Sequence, residues 1–328
     1  MIVMAPPTRP TTRRSITLHG YVAAPENPDG TELRDLPEPT PGPSEALLEV
    51  RAFSLNRGEV THMRSHMLPA GMRLGWDVAG VVVRAAADGS GPPEGSRAFG
   101  CSVARGTWAE RAAVSTSSLA VLPEGASFTA GSTLGVAGLT AVYALRYGGL
   151  LLGRTVIVTG AAGGVGRLAV QMAVRAGARV IAIVGDQSRA AAITELGLDG
   201  VEVEIGLAPD GTPGDLILES AGGDSLTAAF TRVAVGGAIV LFGRSSMEPG
   251  KVPPDWFYRS AGLHGLAYAT DMNADNSGPA SLAMMGDLVA RGLLDPGVSM
   301  ETSWKDLPTA AQALIDRKVS GKAVLIVD

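Results

Sequence analysis

One stretch of the chain decides its fold: Thr155-Val156-Ile157-Val158-Thr159-Gly160-Ala161-Ala162-Gly163-Gly164-Val165-Gly166. The first five residues are apolar or β-branched, a composition that predicts a buried strand. Val165, Leu168 and Met172 then recur at helical spacing, and Gly177 is a natural helix end. A strand, a glycine-rich turn and a helix in this order predict the first unit of an α/β domain with parallel strands.

The glycine-rich turn has the composition of a phosphate-binding loop. Gly163 allows the backbone to approach a pyrophosphate, and Gly166 allows the helix to pack closely on the strand. The helix N-terminus adds free N–H groups and a partial positive charge. A turn without a ligand is the alternative, but the strand–turn–helix context favours a dinucleotide site. The residues expected to contact the dinucleotide are Ala161, Ala162, Gly163, Gly164, Val165 and Gly166.

The alternation of strands and helices continues beyond this unit. A strand at Arg179–Val184 is followed by a helix at about Ser188–Leu196, and then by apolar runs at Leu216–Leu218 and Ala238–Phe242. This order predicts parallel strands with right-handed crossovers. We therefore expect a doubly wound parallel sheet in the middle of the chain.

The residues before the sheet follow a different pattern. From Ser15 to about Leu122, short β-like runs are separated by turns rich in Pro and Gly, which predicts a mostly antiparallel, barrel-like domain. We assign the last strand, Ala323–Val327, to this first domain, so that the nucleotide domain is inserted in it. The expected division is a flexible extension at 1–14, the first domain at 15–138, the nucleotide domain at 139–274 and a return to the first domain at 275–328.

Composition excludes several classes of function. The net charge of −5 provides no basic surface for nucleic acid, and no run approaches the roughly 18 apolar residues of a membrane span. The single cysteine, Cys101, excludes a disulfide framework and multi-cysteine metal sites. The GxSxG and HExxH motifs of common hydrolases are absent from the sequence. We expect a cytoplasmic protein that binds a small-molecule substrate.

Several short motifs occur in the order typical of one enzyme family. They are Leu55–Glu59 (LNRGE), Gly75–Gly80 (GWDVAG), Gly106–Glu110 (GTWAE), Leu122–Gly125 (LPEG), Gly138–Ala141 (GLTA), Val158–Gly166 (VTGAAGGVG) and Ser320–Lys322 (SGK). From Ser15 onward the chain resembles the medium-chain dehydrogenase/reductase superfamily, in its zinc-independent quinone oxidoreductase (enone reductase) branch. The resemblance implies an α/β fold with a GroES-like, β-barrel-type catalytic domain, an inserted Rossmann domain and a cleft between them.

Zinc alcohol dehydrogenases are similar enough for their ligand positions to be compared with this chain. Their three catalytic ligands correspond to Asn56, Trp76 and Val136, and neither Trp nor Val can donate to zinc. Their proton relay of a hydroxyl group and a histidine corresponds to Gly58 and Thr61. We therefore expect a protein that holds no metal ion.

The end of the second parallel strand determines which nicotinamide cofactor is bound. An NAD site has an acidic residue there, which binds the ribose hydroxyls. In this chain Asp186 lies two residues beyond that place, and Arg189 follows it. Arg189 suits the 2′-phosphate of NADPH, although a helix cap at Asp186 and a solvated charge at Arg189 are the alternatives. We predict NADPH, with NADH as the less favoured cofactor.

The resemblance places further residues beside the nicotinamide. Thr140 is expected next to the ring or its ribose, and Lys322 is expected to reach the cofactor. Phe242, Gly243, Arg244 and Ser245, at the carboxyl end of a strand, are expected to flank the ring. A helix cap is the alternative role for Thr140.

The expected chemistry is hydride transfer to a quinone or an α,β-unsaturated carbonyl compound. Without a metal ion a simple ketone is poorly activated, whereas a conjugated acceptor spreads the developing charge to its oxygen. By resemblance Asn56 is the leading group to hydrogen-bond that oxygen, although it could be a satisfied turn residue. Thr61, His62 or water would supply the proton. His62 and His66 are spaced for one helix face, and we interpret them as surface or cleft-lining residues.

Two expectations concern alternatives and assembly. A cofactor-binding biosynthetic enzyme of the same fold (cyclase-like or non-reductive), or a redox-sensing NAD(P)H-binding protein, is the alternative function. It is favoured by the loss of a cleft tyrosine, common in quinone reductases, near Thr61. The apolar run Leu263–Ala269 predicts a sheet edge that needs covering, and hence a homodimer.

Overall fold

The computed structural model describes residues 17–267 and 277–328. The proposed extension at 1–14, and the proposed boundary between residues 274 and 275, lie outside the described residues. The described chain forms two domains, each built on its own main sheet. Where the two domains meet, the glycine-rich turn of one lies against the C-terminal strand region of the other.

The first domain is a mostly antiparallel β structure. Its strands are β1 (Thr17–Ala23), β2 (Thr31–Pro37), β3 (Glu45–Ser54), β4 (Asp77–Arg84), β5 (Arg97–Cys101), β6 (Arg111–Ser115), β7 (Leu119–Val121), β14 (Val298–Ser303) and β15 (Lys322–Ile326). The main sheet has the order β14-β15-β3-β4-β5-β7, with β6 also paired to β3, while β1 pairs with β2. The strand β15 is antiparallel to β3, so the end of the chain lies within the first domain.

The second domain is a parallel sheet. Its strands are β8 (Thr155–Thr159), β9 (Arg179–Val184), β10 (Val201–Ile205), β11 (Gly214–Glu219), β12 (Val233–Leu241) and β13 (Gly262–Gly265). They lie in the order β10-β9-β8-β11-β12-β13, and each neighbouring pair is parallel. The order reverses between β8 and β11, which opens a ligand crevice at the carboxyl ends of these strands. The predicted doubly wound sheet is thus confirmed.

Helices cover the parallel sheet and connect the domains. They are α1 (Arg57–Arg64), α2 (Phe128–Gly131), α3 (Val136–Arg146), α4 (Gly164–Arg175), α5 (Gln187–Thr194), α6 (Gly223–Arg232), α7 (Gly278–Ala290) and α8 (Leu307–Ile315). The proposed boundary between residues 138 and 139 falls inside α3, which is buried along most of its length and packs with α4 in one apolar cluster. No helix within residues 17–267 and 277–328 is long and apolar enough to cross a membrane.

Candidate active site

The turn between β8 and α4 has the geometry of a phosphate-binding loop. The Gly163 amide donates to the Gly160 carbonyl at 2.8 Å, which closes the turn. A Cβ atom on Gly166 would lie 2.3 Å from the Gly160 oxygen, so that only glycine fits where helix and strand meet. The first helical hydrogen bond runs from the Arg167 amide to the Gly163 carbonyl. The amides of residues 164–166 therefore precede the helical ladder, and they fit a pyrophosphate.

The other predicted residues of this region are buried. The side chains of Ala161 and Ala162 lie in the apolar core, and the Ala161 amide donates to the Ile183 carbonyl at 3.0 Å. Their contribution to a dinucleotide site is therefore through the shape of the backbone. Thr140 lies on α3 and is largely buried.

The turn between β8 and α4 contacts the first domain directly. Gly163 forms a β-bridge with Gly321, which precedes β15. A Cβ atom on Gly164 would lie only 2.6 Å from Cδ of Lys322, so the absence of a side chain there makes room for the lysine stem. Lys322 thus crosses the start of α4, while its ammonium group is directed into the first domain.

The ammonium group of Lys322 is held by oxygen atoms from two segments. Its Nζ atom donates to the Leu55 carbonyl at 3.1 Å and to Oδ1 of Asn56 at 2.7 Å, and it lies 3.3 Å from Oδ2 of Asp77. Lys322 is 2% exposed and Asp77 is 0% exposed. A buried ion pair persists only when further hydrogen bonds satisfy both partners, and Lys322 meets this condition.

The carboxylate of Asp77 is equally well satisfied. Oδ2 accepts from Oγ of Ser54 at 2.6 Å and from Nδ2 of Asn56 at 2.9 Å, and Oδ1 accepts from the Val136 amide at 2.7 Å. The last contact links β4 to the first residue of α3. Asp77 therefore ties together the segments that lie on either side of the domain junction.

Glu59 is a second buried carboxyl group in this network. Its Oε1 atom accepts from the Asn56 amide at 2.8 Å and from Nδ2 of Asn56 at 3.0 Å. In the described part of the chain its Oε2 atom has no hydrogen-bond partner. Burial, reinforced by the negative charge of Asp77, raises the pKa of Glu59 to about 8. Glu59 is therefore mainly a neutral acid at pH 7.

These contacts occupy the side chain of Asn56. Its amide nitrogen donates to two carboxyl groups, and its oxygen accepts from Lys322. A hydrogen bond from Asn56 to a substrate oxygen would require one of the two donor contacts to be exchanged. The expected role of Asn56 as a donor to the developing oxyanion stays a prediction.

The segment after β12 lies at the carboxyl edge of the parallel sheet. The Phe242 amide donates to the Glu219 carbonyl at 3.0 Å, and the Ser245 amide donates to the Ser220 carbonyl at 3.1 Å. A Cβ atom on Gly243 would lie 2.8 Å from the Ser220 oxygen. Phe242 is partly buried, whereas Arg244 and Ser245 are exposed. The segment is therefore held next to the crevice, with polar side chains accessible.

Asp186 and Arg189 lie at the end of β9, where α5 begins. Asp186 is the N-cap residue of α5 and is exposed. Its pKa is lowered, chiefly by the hydrogen bond from Ser188. Nε of Arg189 lies 3.8 Å from Oδ2 of Asp186, a loose and partly solvated contact. Asp186 thus occupies the N-cap position without a capping hydrogen bond from its side chain, and its carboxylate remains accessible to a ribose hydroxyl.

Two further arginines converge on Arg189. Its guanidinium donates to the Arg317 carbonyl, and Nη2 of Arg317 lies 3.4 Å from the Ser245 carbonyl. Arg57, which donates to the Leu314 carbonyl at 2.9 Å, is close enough that burial, Arg317 and Arg189 together lower its pKa. This group of Arg57, Arg189 and Arg317, the arginine cluster, is a concentration of positive charge in an acidic chain.

The candidate proton donors Thr61 and His62 are exposed on α1. The His62 ring meets the Trp76 ring edge-on, with 6.4 Å between centroids. The expectation that His62 and His66 share a helix face is wrong, because α1 ends at Arg64. His66 has a left-handed φ of 55°, and its Nδ1 atom lies 2.8 Å from the Pro25 carbonyl.

Comparison with known proteins assigns both domains. The family model described as "Alcohol dehydrogenase GroES-like domain" matches residues 42–145, and the one described as "Zinc-binding dehydrogenase" matches residues 164–282. The chain is similar to a quinone oxidoreductase of Pseudomonas aeruginosa, with 27% identity over 320 residues, or 93% of this chain and 98% of that protein. It is also similar to the solved quinone oxidoreductase of Coxiella burnetii, with a TM-score of 0.80, 25% identity and coverage of 95% and 100%.

The chain belongs to the quinone oxidoreductase branch of the medium-chain dehydrogenase/reductase superfamily. The resemblance predicted from the sequence motifs is thereby confirmed. Another similar protein is the spectinabilin polyketide synthase system protein NorB of Streptomyces orinoci, with 31% identity over 297 residues. That match covers 86% of this chain, but the chain spans only 13% of the length of NorB.

The name of the second matching domain implies zinc, and the residues of this superfamily member do not fit a catalytic zinc ion. Asn56, Trp76 and Val136 stand at the ligand positions, and two of these side chains cannot donate. The Asn56 oxygen already accepts from the Lys322 ammonium. Within the two described ranges, no group of three His, Cys, Asp or Glu side chains is arranged to hold a metal ion.

Sequence reasoning missed several members of this oxidoreductase site. Asp77 and Glu59 lie inside motifs on which the resemblance rests, but the sequence did not show that both residues are buried. A charged residue in an otherwise apolar or small-residue motif is a signal for a buried, paired group. Arg57 and Arg317 are far apart in sequence, and no local pattern links them.

Proposed function

We propose that the protein is an NADPH-dependent oxidoreductase that transfers hydride, without a metal ion, to a quinone or an α,β-unsaturated carbonyl compound. The observation that carries the proposal is the Lys322 ammonium, held by Leu55, Asn56 and Asp77 where the two domains meet. The buried ammonium group neutralises Asp77. Its N–H groups are directed at Leu55, Asn56 and Asp77, so none is free to polarise a substrate carbonyl. A conjugated acceptor needs no Lewis acid, because its charge spreads to the oxygen.

The nicotinamide cofactor supplies the hydride, and the protein binds and orients it. The amides of residues 164–166 fit the pyrophosphate, and the Phe242–Ser245 segment and Thr140 would bracket the nicotinamide half. Lys322 crosses Gly164, so the position of the cofactor loop is coupled to the side of the cleft that carries Asn56. Holding two reactants in register accounts for a large part of catalysis in such enzymes.

The arginine cluster supports NADPH over NADH. A 2′-phosphate carries nearly two negative charges, and guanidinium groups bind phosphate with paired, charge-assisted hydrogen bonds. Arg189 lies in the first turn of α5, which follows the end of β9, where the ribose of a dinucleotide lies in this fold. Arg57 and Arg317 add to the local positive potential, which outweighs the one exposed carboxylate of Asp186.

After hydride transfer the enolate needs a proton. Glu59 is buried and faces Asn56, so it is not placed to meet a substrate. Thr61 and His62 are exposed on α1, and the His62 ring meets the Trp76 ring, so both side chains are accessible together with bulk water. The proposed donor is therefore Thr61, His62 or water.

The test is a substrate panel with purified protein. Oxidation of NADPH is followed at its absorbance band with 1,4-benzoquinone, 2-cyclohexenone and, as the matched saturated control, cyclohexanone. Turnover with the first two and not with cyclohexanone, unchanged by a zinc chelator, is expected. Turnover of cyclohexanone that a chelator abolishes would contradict the proposal.

A biosynthetic role is the second candidate, and the similarity to NorB favours it. Under this candidate the substrate is an intermediate of a biosynthetic pathway, and the cofactor is bound without turnover of simple quinones. NADPH binding, measured by calorimetry, together with no NADPH oxidation across the panel would support this candidate over the first.

We further propose that the enzyme is a cytoplasmic homodimer. Among the described residues β13 lies at the edge of the parallel sheet, and Leu263 on it is 43% exposed. Residues 268 and 269 of the predicted apolar run lie outside the described residues. An exposed apolar edge favours pairing with a second copy.

A further inference from the structure

Arg105 lies in the loop that follows β5 and packs on the ring of Trp76. Its Cζ atom is 5.0 Å from the centroid of that ring, a cation–π contact. Trp76 also meets His62 edge-on. Arg105, Trp76 and His62 therefore form one surface, which we name the arginine–tryptophan wall.

One nitrogen of Arg105 is buried and unused. Within residues 17–267 and 277–328, its Nη1 atom is inaccessible to solvent and has no hydrogen-bond partner. A buried N–H group without an acceptor is costly, and for a charged donor the cost is greater. The partner that best satisfies a guanidinium group is an anionic oxygen.

The backbone of Arg105 has an unusual conformation. Arg105 has a φ of 68°, in the left-handed region that non-glycine residues seldom adopt, and Gly106 follows with a φ of 93°. The Ser102 hydroxyl donates to the Arg105 carbonyl at 3.0 Å, and the Gly106 amide donates to the Leu74 carbonyl at 3.0 Å. Strained residues that their surroundings hold in place are concentrated at ligand sites.

The wall borders the residues of the proposed reaction. Trp76 directly precedes Asp77, which accepts from Asn56 at 2.9 Å. A Cβ atom on Gly58 would lie 3.6 Å from the Trp76 ring, so the start of α1 packs beside the same ring. Trp76 therefore links the start of α1 and the Asn56–Asp77 pair to the loop that carries Arg105.

We infer that Arg105 binds an anionic oxygen of the substrate at the arginine–tryptophan wall. This oxygen is either a carboxylate of the bound substrate or the enolate oxygen that forms in the reaction. The inference rests on the proposed function. Hydride from NADPH forms the C–H bond at the β-carbon, the conjugated π electrons move to the oxygen, and water protonates the enolate, while NADPH becomes NADP⁺.

The experiment compares a conjugated acid with its neutral amide. Steady-state kinetics with cinnamate and cinnamamide are measured for the wild type, Arg105→Met and Arg105→Lys. Arg179→Met, which removes an exposed arginine paired with Glu202 at the far end of β9, is the matched control. Unchanged NADPH affinity shows that a variant is folded. If Arg105→Met does not fold, the comparison is made with Arg105→Lys instead.

Two results support the inference and identify the oxygen. A rise in KM of about tenfold to a hundredfold for cinnamate alone, in Arg105→Met, indicates a carboxylate. A fall in kcat of about tenfold or more for both compounds, with KM unchanged, indicates the enolate oxygen. Arg105→Lys should lie between wild type and Arg105→Met. Kinetics equal to wild type with both compounds, as expected for Arg179→Met, would overturn the inference.

A binding measurement separates this inference from the proposed function. If the wild type reduces neither compound, cinnamate binding is measured by calorimetry without turnover, and the proposed function fails only if 1,4-benzoquinone and 2-cyclohexenone are not reduced either. Weaker binding by at least tenfold in Arg105→Met supports the inference. Equal binding, or no binding to the wild type, overturns it.

Discussion

Lys322→Met should lower the free energy of unfolding by about 3–5 kcal/mol, because it leaves the buried carboxylate of Asp77 without its cation. The pair is separated by 3.3 Å, and both residues are almost completely buried. Ser54, Asn56 and the Val136 amide still donate to Asp77 after the substitution, so we expect the lower end of this range. Methionine conserves most of the lysine stem that crosses Gly164.

The chain provides a matched control for this substitution. Lys305 and Asp328 are also 3.3 Å apart, but the Lys305 side chain is 62% exposed. Lys305→Met should therefore cost less than about 1 kcal/mol. Both variants, and the double variant Lys322→Met/Asp77→Asn, are unfolded in urea at pH 7. A cost below about 1 kcal/mol for Lys322→Met, or no recovery in the double variant, would refute the account of a charge-paired junction.

The remaining predictions concern the cofactor, the buried acid and assembly. Arg189→Ala should weaken NADPH binding by about tenfold to a hundredfold and NADH binding little; equal losses in a fluorescence titration would argue against a 2′-phosphate contact. Burial raises the pKa of Glu59 in the folded protein from 4.5 to about 8. Between these pH values the folded state binds more protons than the unfolded state, so the free energy of unfolding of the wild type falls by up to about 1.4 kcal/mol for each unit that the pH rises. Glu59→Gln should remove this contribution, and identical slopes in urea unfolding at pH 5.5, 6.5 and 7.5 would disprove it. Light scattering should give twice the monomer mass of 33.5 kDa at micromolar concentration, and a monomer would exclude the proposed dimer.

Local sequence patterns located most strands of the parallel domain, although they did not predict β10 (Val201–Ile205). The predicted strand at residues 155–159 is β8, and the helix expected to end before Gly177 is α4, which ends at Arg175. These signals are strong because a strand of β-branched residues and a turn of glycines are determined by residues that are close in sequence. The strand expected at Ala238–Phe242 is longer in the structure, where β12 begins at Val233. The pair Gly236-Gly237 interrupts the apolar run, so the first half of β12 was not predicted from apolar residues.

The site depended on contacts that local patterns cannot show. Asp77 and Lys322 are separated by 245 positions, and their pairing arises only when β15 joins β3. The spacing of His62 and His66 suggested a common helix face, yet α1 ends at Arg64 and His66 has a left-handed φ of 55°. Family motifs located Asn56 in the sequence, but its hydrogen bonds to Glu59 and Asp77 required coordinates.

The central claim is hydride transfer to the β-carbon of a conjugated carbonyl compound, and isotope transfer tests it most directly. NADPH deuterated at the transferred position is incubated with the protein and 2-cyclohexenone, and the product is examined by NMR. The account predicts deuterium at the β-carbon of cyclohexanone. Deuterium on the carbinol carbon of an allylic alcohol, or no deuterium in any product, would contradict it.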